Sequence, residues 1–307
     1  MMATVDPVTL LAGVPVTSDI DATAGRWRAI IDARLEQVAE AGGESCCSRL
    51  ASAMRYSLLA SGKRVRPMLA ILTAVDFGCD PGRLVDFGCA LEMVHCASLM
   101  LDDLPSMDDA RTRRGRPACH LEFGEATTTL AAVALLNQAY GVIAGCDSVP
   151  TNVRVGLVSR LAQAVGTAGL VSGQSRDLIE RTSPIDAEQL HRINHQKTGV
   201  LFELAVVGGG MISDFDPQRL RFLEQYARHV GQAFQAADDL LDLGRPPSGK
   251  DRNADRGKSG SIHDVGEAAL RQRLSKEMND AGAVLRAMSV EGGVLDTYIR
   301  SLFVRFN

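Results

Sequence analysis

Apolar residues recur at steps of three and four along most of the 307-residue chain, which is the period of an amphipathic helix. Between residues 220 and 243 the stripe reads Leu223, Tyr226, Val230, Phe234, Ala237 and Leu241. Few segments alternate with period two, and Asn-Gly or Asp-Gly hairpin signals are absent. Ser183 before Pro184, followed by Asp186, opens a helix expected to run to about Gly208. Breaks are expected near 42–43, 78–82, Pro105, 148–150, 208–210 and 244–260. The last of these, "GRPPSGKDRNADRGKSG", is long, polar and charged, which suits an active-site loop. No solenoid repeat or low-complexity linker divides the chain. The pattern predicts an all-α fold: one domain over residues 26–307, with helices around a cavity, after a loose tail over 1–25.

One stretch raises a membrane question. Ala126 to Cys146 carries no charge and is long enough to span a bilayer. It also contains Thr127, Thr128, Thr129, Asn137, Gln138, Gly141 and Gly145, so a buried central helix is expected instead of a transmembrane segment. Composition agrees with a soluble globular chain: 46% hydrophobic, 23% charged, net charge −4. That balance offers no general basic surface for nucleic acid. Seven cysteines show no CxxC or zinc spacing, and an odd count reads as reduced thiols in a cytoplasmic protein. Asp6, Asp19 and Asp21 precede the first basic residue, Arg26, unlike a secretion or transit leader.

The informative charge is local. In "LMLDDLPSMDDARTRRGRP", Asp102, Asp103, Asp108 and Asp109 are followed by Arg111, Arg113, Arg114 and Arg116. Clustered carboxylates repel unless a cation sits among them, and clustered guanidinium groups suit a polyanion. Leu91, His95, Ser98 and Asp102 step by four, three and four, marking one helix face. Pro105 disfavours a helix continuing to Asp108, but a short bulge there could return Asp108 to Asp102. In "FQAADDLLD", Gln235, Asp238 and Asp242 share a helix face, and Gly231 on the same stripe allows a close approach. Such oxygen clusters suit Mg²⁺, and carboxylates at a helix C-terminus want a compensating cation. Lys63, Arg64, Arg66, Arg113, Arg114, Lys197, Thr198, Lys250 and Lys258 would complete a phosphate-rich ligand's site. Neither GxxxxGK[ST] nor GxGxxG is present, so nucleotide-type binding has no support.

These blocks resemble the trans-isoprenyl diphosphate synthases over about residues 26 to 300: "GKRVRP", "EMVHCASLMLDDLPSMDDARTRRGRP", "GLVSGQSRDL", "HQKTGVLFELAVVGG", "GQAFQAADDLLD" and "GKDRNADRGKS". The resemblance implies an all-α homodimer that condenses isopentenyl diphosphate head-to-tail with allylic diphosphates (dimethylallyl, geranyl or farnesyl). It implies Mg²⁺ on Asp102, Asp108 and Asp238, three ions per site with substrate bound. Lys63, Arg66, His95 and Arg114 match positions that hold isopentenyl diphosphate. Arg113, Lys197, Thr198, Gln235 and Lys258 match positions around the allylic substrate. Of these, Lys197, Thr198 and Gln235 would be the catalytic ones, and dipoles such as the Thr198 hydroxyl, the Gln235 amide and backbone carbonyls would stabilise the allylic cation without attacking it.

Ala97, five residues before Asp102, stands where C15-forming members often place an aromatic ring, so Ala97 and Ser98 are expected to floor a tunnel open to a C20 product. "GKSG" lacks the Thr that commonly follows Lys-Ser, and "SGKR" replaces the commoner Gly-Gly start. A C15 farnesyl diphosphate synthase is the alternative within the family. A class I terpene cyclase fits less well, because aromatics are only 5% and the second motif is "DDLLD". A non-catalytic partner subunit should have lost an acidic motif, and both are present. A helical scaffold that merely binds divalent ions is the remaining alternative.

Overall fold

The computed structural model describes residues 20–40, 47–180, 187–243, 266–290 and 293–304. The chain forms α1 (Ile20–Glu40), α2 (Ser48–Leu58), α3 (Val65–Asp76), a 3₁₀ turn (Pro81–Leu84) and α4 (Val85–Asp102). A two-stranded ladder, β1 (Thr112–Arg113) and β2 (Arg116–Pro117), precedes α5 (Cys119–Phe123), α6 (Glu125–Ala144) and α7 (Thr151–Val165). Then come α8 (Leu170–Glu180), α9 (Ala187–Asn194), a π-helical turn (His195–Gly199), α10 (Val200–Ile212), α11 (Pro217–Leu243), α12 (Glu267–Ala287) and α13 (Val294–Phe303). Apart from that short ladder the described residues are all-α, as expected. The described residues fall into two compact units, one drawn from Met1–Ser159 with Met211–Asp214 and the other from Arg160–Gly210 with Phe215–Asn307.

In the first unit α4 packs against α1, α3 and α6. It is apolar nearly all round, and the unit buries Leu91, Met93, Val94 and Ala97 completely. The tail expectation is corrected at its end. The helix starts at Ile20, and Thr23, Ala24 and Trp27 are buried, because α1 needs them to seat on α2 and α4. Residues 1–19 lie outside the described residues.

A second correction concerns α6. It is not buried all round. Thr128, Ala131, Ala132, Leu135, Ala139 and Ile143 face the unit's core. Ala126, Leu130, Val133, Asn137, Gly141 and Ala144 form an uncharged exposed face at steps of three and four. Counting charges alone could not separate the two faces. Among the described residues three stretches, Pro81–Asp102, Glu125–Ala144 and Thr151–Ile179, are long and apolar enough to cross a membrane by length and composition. The first is mostly buried inside the protein, and the third is interrupted at 166–169.

In the second unit four residues of the predicted α11 stripe, Leu223, Tyr226, Val230 and Ala237, are buried, and Phe234 and Leu241 are half-buried. Leu223, Tyr226 and Val230 are inaccessible, and Phe234 packs between Phe202 and Phe303 at centroid distances of 4.6 and 4.9 Å. The expected break at 208–210 is absent, because α10 runs through to Ile212. A Cβ on Gly210 would lie 2.6 Å from Leu223 Cδ1, so this glycine serves close helix packing. Of the helix expected from Ser183, residues 181–186 lie outside the described residues.

Candidate active site

The first unit's acids and arginines gather at the end of α4. That helix stops at Asp102, and a chain of turns replaces it: Leu104 N–H donates to Leu101 O at 3.2 Å, and Met107 N–H to Leu104 O at 2.9 Å. Asp109 adopts φ +45°, in the left-handed region. The result is the expected return. Asp108 N–H donates to Asp102 O at 2.9 Å, while both carboxylate-bearing residues stay half-exposed.

Asp103 behaves differently from its neighbour. It is buried and grips Arg113, whose Nε lies 3.1 Å from both carboxylate oxygens and whose Nη2 also bonds Oδ1. That bond, aided by the charges of Asp103, Asp102 and Asp108, raises the already high Arg113 pKa further. The next residue goes elsewhere. Arg114 Nη1 donates to Ala60 O at 3.2 Å and Nη2 lies 3.4 Å from Glu92 Oε1.

The hairpin between β1 and β2 makes this divergence possible. Arg114 and Gly115 both have positive φ (+51° and +80°), the requirement of a two-residue primed turn. Arg-Gly does this job where Asn-Gly was sought, so the sequence reading missed the hairpin. Arg116 donates to Tyr56 O at 2.7 Å and lies 4.4 Å above that ring.

Lys63 is exposed on the loop before α3, and Arg66 is half-buried on its first turn. Between them Arg64, at φ +50°, turns inward, with Nε 2.7 Å from Asp32 and Nη1 2.8 Å from the buried Glu92. Its guanidinium is therefore held by two carboxylates of its own unit. Gly62 lets the loop pass Arg114, since a Cβ there would lie 3.2 Å from its Cζ. A cavity of about 30 Å³ opens nearby, lined by Tyr56, Cys96, Asp103, Arg113, Arg114 and Arg116 among others.

His95 sits one turn after Glu92. Burial, and then the charges of Arg66, Arg114, Arg113 and Arg64, hold its pKa well below 6.5, so the imidazole is neutral near pH 7. Below about pH 6.5 the unfolded chain binds a proton that the folded imidazole refuses, so His95 makes stability fall as pH drops. Urea midpoints at pH 7.5 and pH 5.5 are expected to separate less for His95→Gln than for the natural chain; an equal separation would exclude this origin. Ala97 is fully buried, and Ser98 Oγ donates to His95 O at 2.9 Å.

The second unit supplies its own polar set. Lys197 and Thr198 lie in the π-helical turn, a distortion frequent at functional sites. Lys197 Nζ lies 2.7 Å from Asp177 of α8, and Thr198 is half-buried. Glycines bring the elements together: a Cβ on Gly231 would lie 3.2 Å from Gly199 Cα, so a neighbouring backbone fills the approach that Gly231 allows. A Cβ on Gly173 would lie 2.8 Å from Gln196 Cβ and 2.9 Å from Lys197 N. Gly173→Ala is expected to cost about 1–3 kcal/mol through overpacking, seen as a lowered melting temperature. An unchanged melting temperature would show that the turn can shift freely.

On α11 Gln235 finds a partner beyond the predicted set. Its amide donates to Asp239 Oδ1 at 2.8 Å, four residues on, and Asp239 is buried while Asp238 is exposed. The Asp242 side chain, Lys250 and Lys258 lie outside the described residues. His229, Glu277 and Asp280 also place donor atoms within 4.8 Å of one another, but His229 pairs with Glu277 and Asp280 with Lys276, each at 2.7 Å. Sequence reasoning missed Glu92, Asp103, Asp177 and Asp239 as partners. The doubled Asp in each motif was the available signal for two of them.

Known proteins place this site in context. The family model described as polyprenyl synthetase matches residues 47–258. The chain is 42% identical over 275 residues to the geranylgeranyl diphosphate synthase of Pantoea ananas, covering 89% of this chain and 90% of that protein. It is 37% identical to the farnesyl diphosphate synthase of Geobacillus stearothermophilus over 254 residues, covering 81% and 86%. Its fold matches a geranyltransferase crystal structure from Legionella pneumophila with a TM-score of 0.83 at 30% identity, covering 93% and 97%. Two doubled-Asp motifs, a tandem-arginine hairpin and likeness along nearly the whole length converge, and the chain belongs to the polyprenyl synthetases.

Proposed function

We propose that this enzyme condenses isopentenyl diphosphate with allylic diphosphates to make geranylgeranyl diphosphate, a C20 product. The observation that carries the reading is the turn returning Asp108 to Asp102 beside Arg113. Half-exposed carboxylates on residues whose backbones the turn brings together are the hard oxygen donors that Mg²⁺ prefers. Asp102, Asp108 and Asp238 would hold Mg²⁺, three ions with substrate bound; when present, Mg²⁺ offsets the charge developing on the leaving diphosphate.

The chain's own residues do the rest. Arg113, Lys197 and Lys258 bind the allylic diphosphate, and Lys63, Arg66, Arg114 and neutral His95 bind isopentenyl diphosphate through charge and N–H donors. The allylic C–O bond breaks, and the electron pair leaves with diphosphate. The isopentenyl double bond attacks the allylic carbon, forming the C–C bond. The departing diphosphate accepts the proton that is lost. The Thr198 hydroxyl and the Gln235 amide stabilise the cation as dipoles without capturing it. Ala97 and Ser98 set the product length.

The chain forms one catalytic domain that starts with α1 at Ile20, a reading supported by a single family match that runs through both compact units. The enzyme works as a homodimer, and the exposed uncharged face of α6, with Leu130 and Val133 at 61% and 48% exposure, is the face a second copy would cover. Free cysteines at 47, 79, 89, 96, 119 and 146 suit a reducing cytoplasm. The test supplies Mg²⁺, isopentenyl diphosphate and farnesyl diphosphate, and sizes the products by chromatography. A C20 diphosphate is expected. Products stopping at C15 from shorter primers, with farnesyl diphosphate left unextended, would make it a farnesyl diphosphate synthase, as the 37% identical relative is.

A further inference from the structure

Arg113 and Arg114 are adjacent in sequence, and two guanidinium groups side by side repel each other. The structure sends them to different carboxylates on one helix. Asp103 takes Arg113 and Glu92 takes Arg114, and on α4 these acids are about three turns, or about 16 Å, apart. Both carboxylates are buried, 3% and 2% exposed. Buried ion pairs are poor devices for stability, because desolvation offsets most of the attraction, but they do fix direction. The fixing extends beyond the pair. Glu92 Oε1 also holds Arg64, and the Ala60 carbonyl accepts from both Arg64 Nη2 (2.9 Å) and Arg114 Nη1 (3.2 Å). Arg64 therefore ties down the loop carrying Lys63.

We propose that Asp103 and Glu92 are positioning residues that part the tandem arginines, Asp103 setting Arg113 for the allylic diphosphate and Glu92 setting Arg114 for isopentenyl diphosphate. This rests on the substrate assignment given above for the two arginines. The experiment is steady-state kinetics with Mg²⁺, varying each substrate in turn. Glu92→Gln is expected to raise KM for isopentenyl diphosphate about tenfold, with kcat and the allylic KM within about twofold. Asp103→Asn is expected to raise the allylic KM by about the same factor and spare the other. Glu92→Gln combined with Arg114→Met should fall short of the product of the two single effects, since part of what Glu92 does is to place Arg114; the remainder acts through Arg64 and the Lys63 loop. Glu92→Asp keeps the charge one methylene short; it should give part of the effect, and it serves if the glutamine variant does not fold.

Equal damage to both substrates, or full additivity in the double variant, overturns the proposal. So does failure of both Glu92 variants to fold, which would make Glu92 a structural prop. If Arg114→Met leaves the isopentenyl KM unchanged, the substrate assignment fails and the proposal falls with it. If Arg114→Met raises that KM and Glu92→Gln does not, the positioning role alone is refuted.

Discussion

Asp238→Ala, and separately Asp102→Ala, is expected to lower kcat by about a thousandfold or more, the scale of losing charge stabilisation of a leaving diphosphate. The fold should survive in both. Asp238 is exposed on α11, where substitution typically changes stability by less than about 0.5 kcal/mol. Asp102 is half-exposed at the C-terminus of α4, where a carboxylate opposes the helix dipole. Removing it should leave the metal-free melting temperature unchanged or slightly higher. The contrast with Asp103 sharpens the test. Asp103 is buried against the half-exposed Arg113, so Asp103→Ala removes a buried, bonded carboxylate and should cost stability as well as activity. Circular dichroism and melting curves separate the two classes, and the prenyl-transfer assay gives kcat. Wild-type turnover in Asp238→Ala would remove that residue from the metal site.

Ala97→Tyr is expected to move the product from C20 toward C15 while turnover persists. Ala97 lies five residues before Asp102 on α4, about 7.5 Å along the helix axis from the proposed diphosphate end. A growing chain extending that way meets the side chain at this position, and a phenol ring there takes the space of a further isoprene unit. Ala97 is also fully buried in its own unit, so the ring carries an overpacking cost of about 1–3 kcal/mol. A lowered melting temperature together with shortened products is therefore the expected pair of results. A lowered melting temperature with unchanged product lengths would mean that Ala97 only packs against neighbouring helices.

Much of the site was legible because its chemistry is written in runs. The acids at 102–109 and the arginines at 111–116 announce themselves, and Pro105 marks where α4 must end. The return of Asp108 was foreseeable from that stop and the bulge it permits. The hairpin at 112–117 was not, because its turn uses Arg114 and Gly115, and arginine rarely adopts the left-handed backbone that such a turn requires. The exposed side of α6 was misjudged for a different reason. An uncharged helix reads the same whether it is covered by its own chain or left open.

The sequence by itself determined the helical class, the ends of the acidic helices and the donor types suited to magnesium and diphosphate, since these follow from local periodicity and side-chain chemistry. Tertiary structure decided which member of each acidic doublet turns inward. Consecutive residues on a helix point about 100° apart, so "DD" offers two directions, and only the packing around it chooses. Asp103 and Asp239 are buried with Arg113 and Gln235, while Asp102 and Asp238 stay accessible. The pairing of Arg64 and Arg114 with Glu92 is likewise long-range, because a buried charge must find its partner wherever the fold brings one.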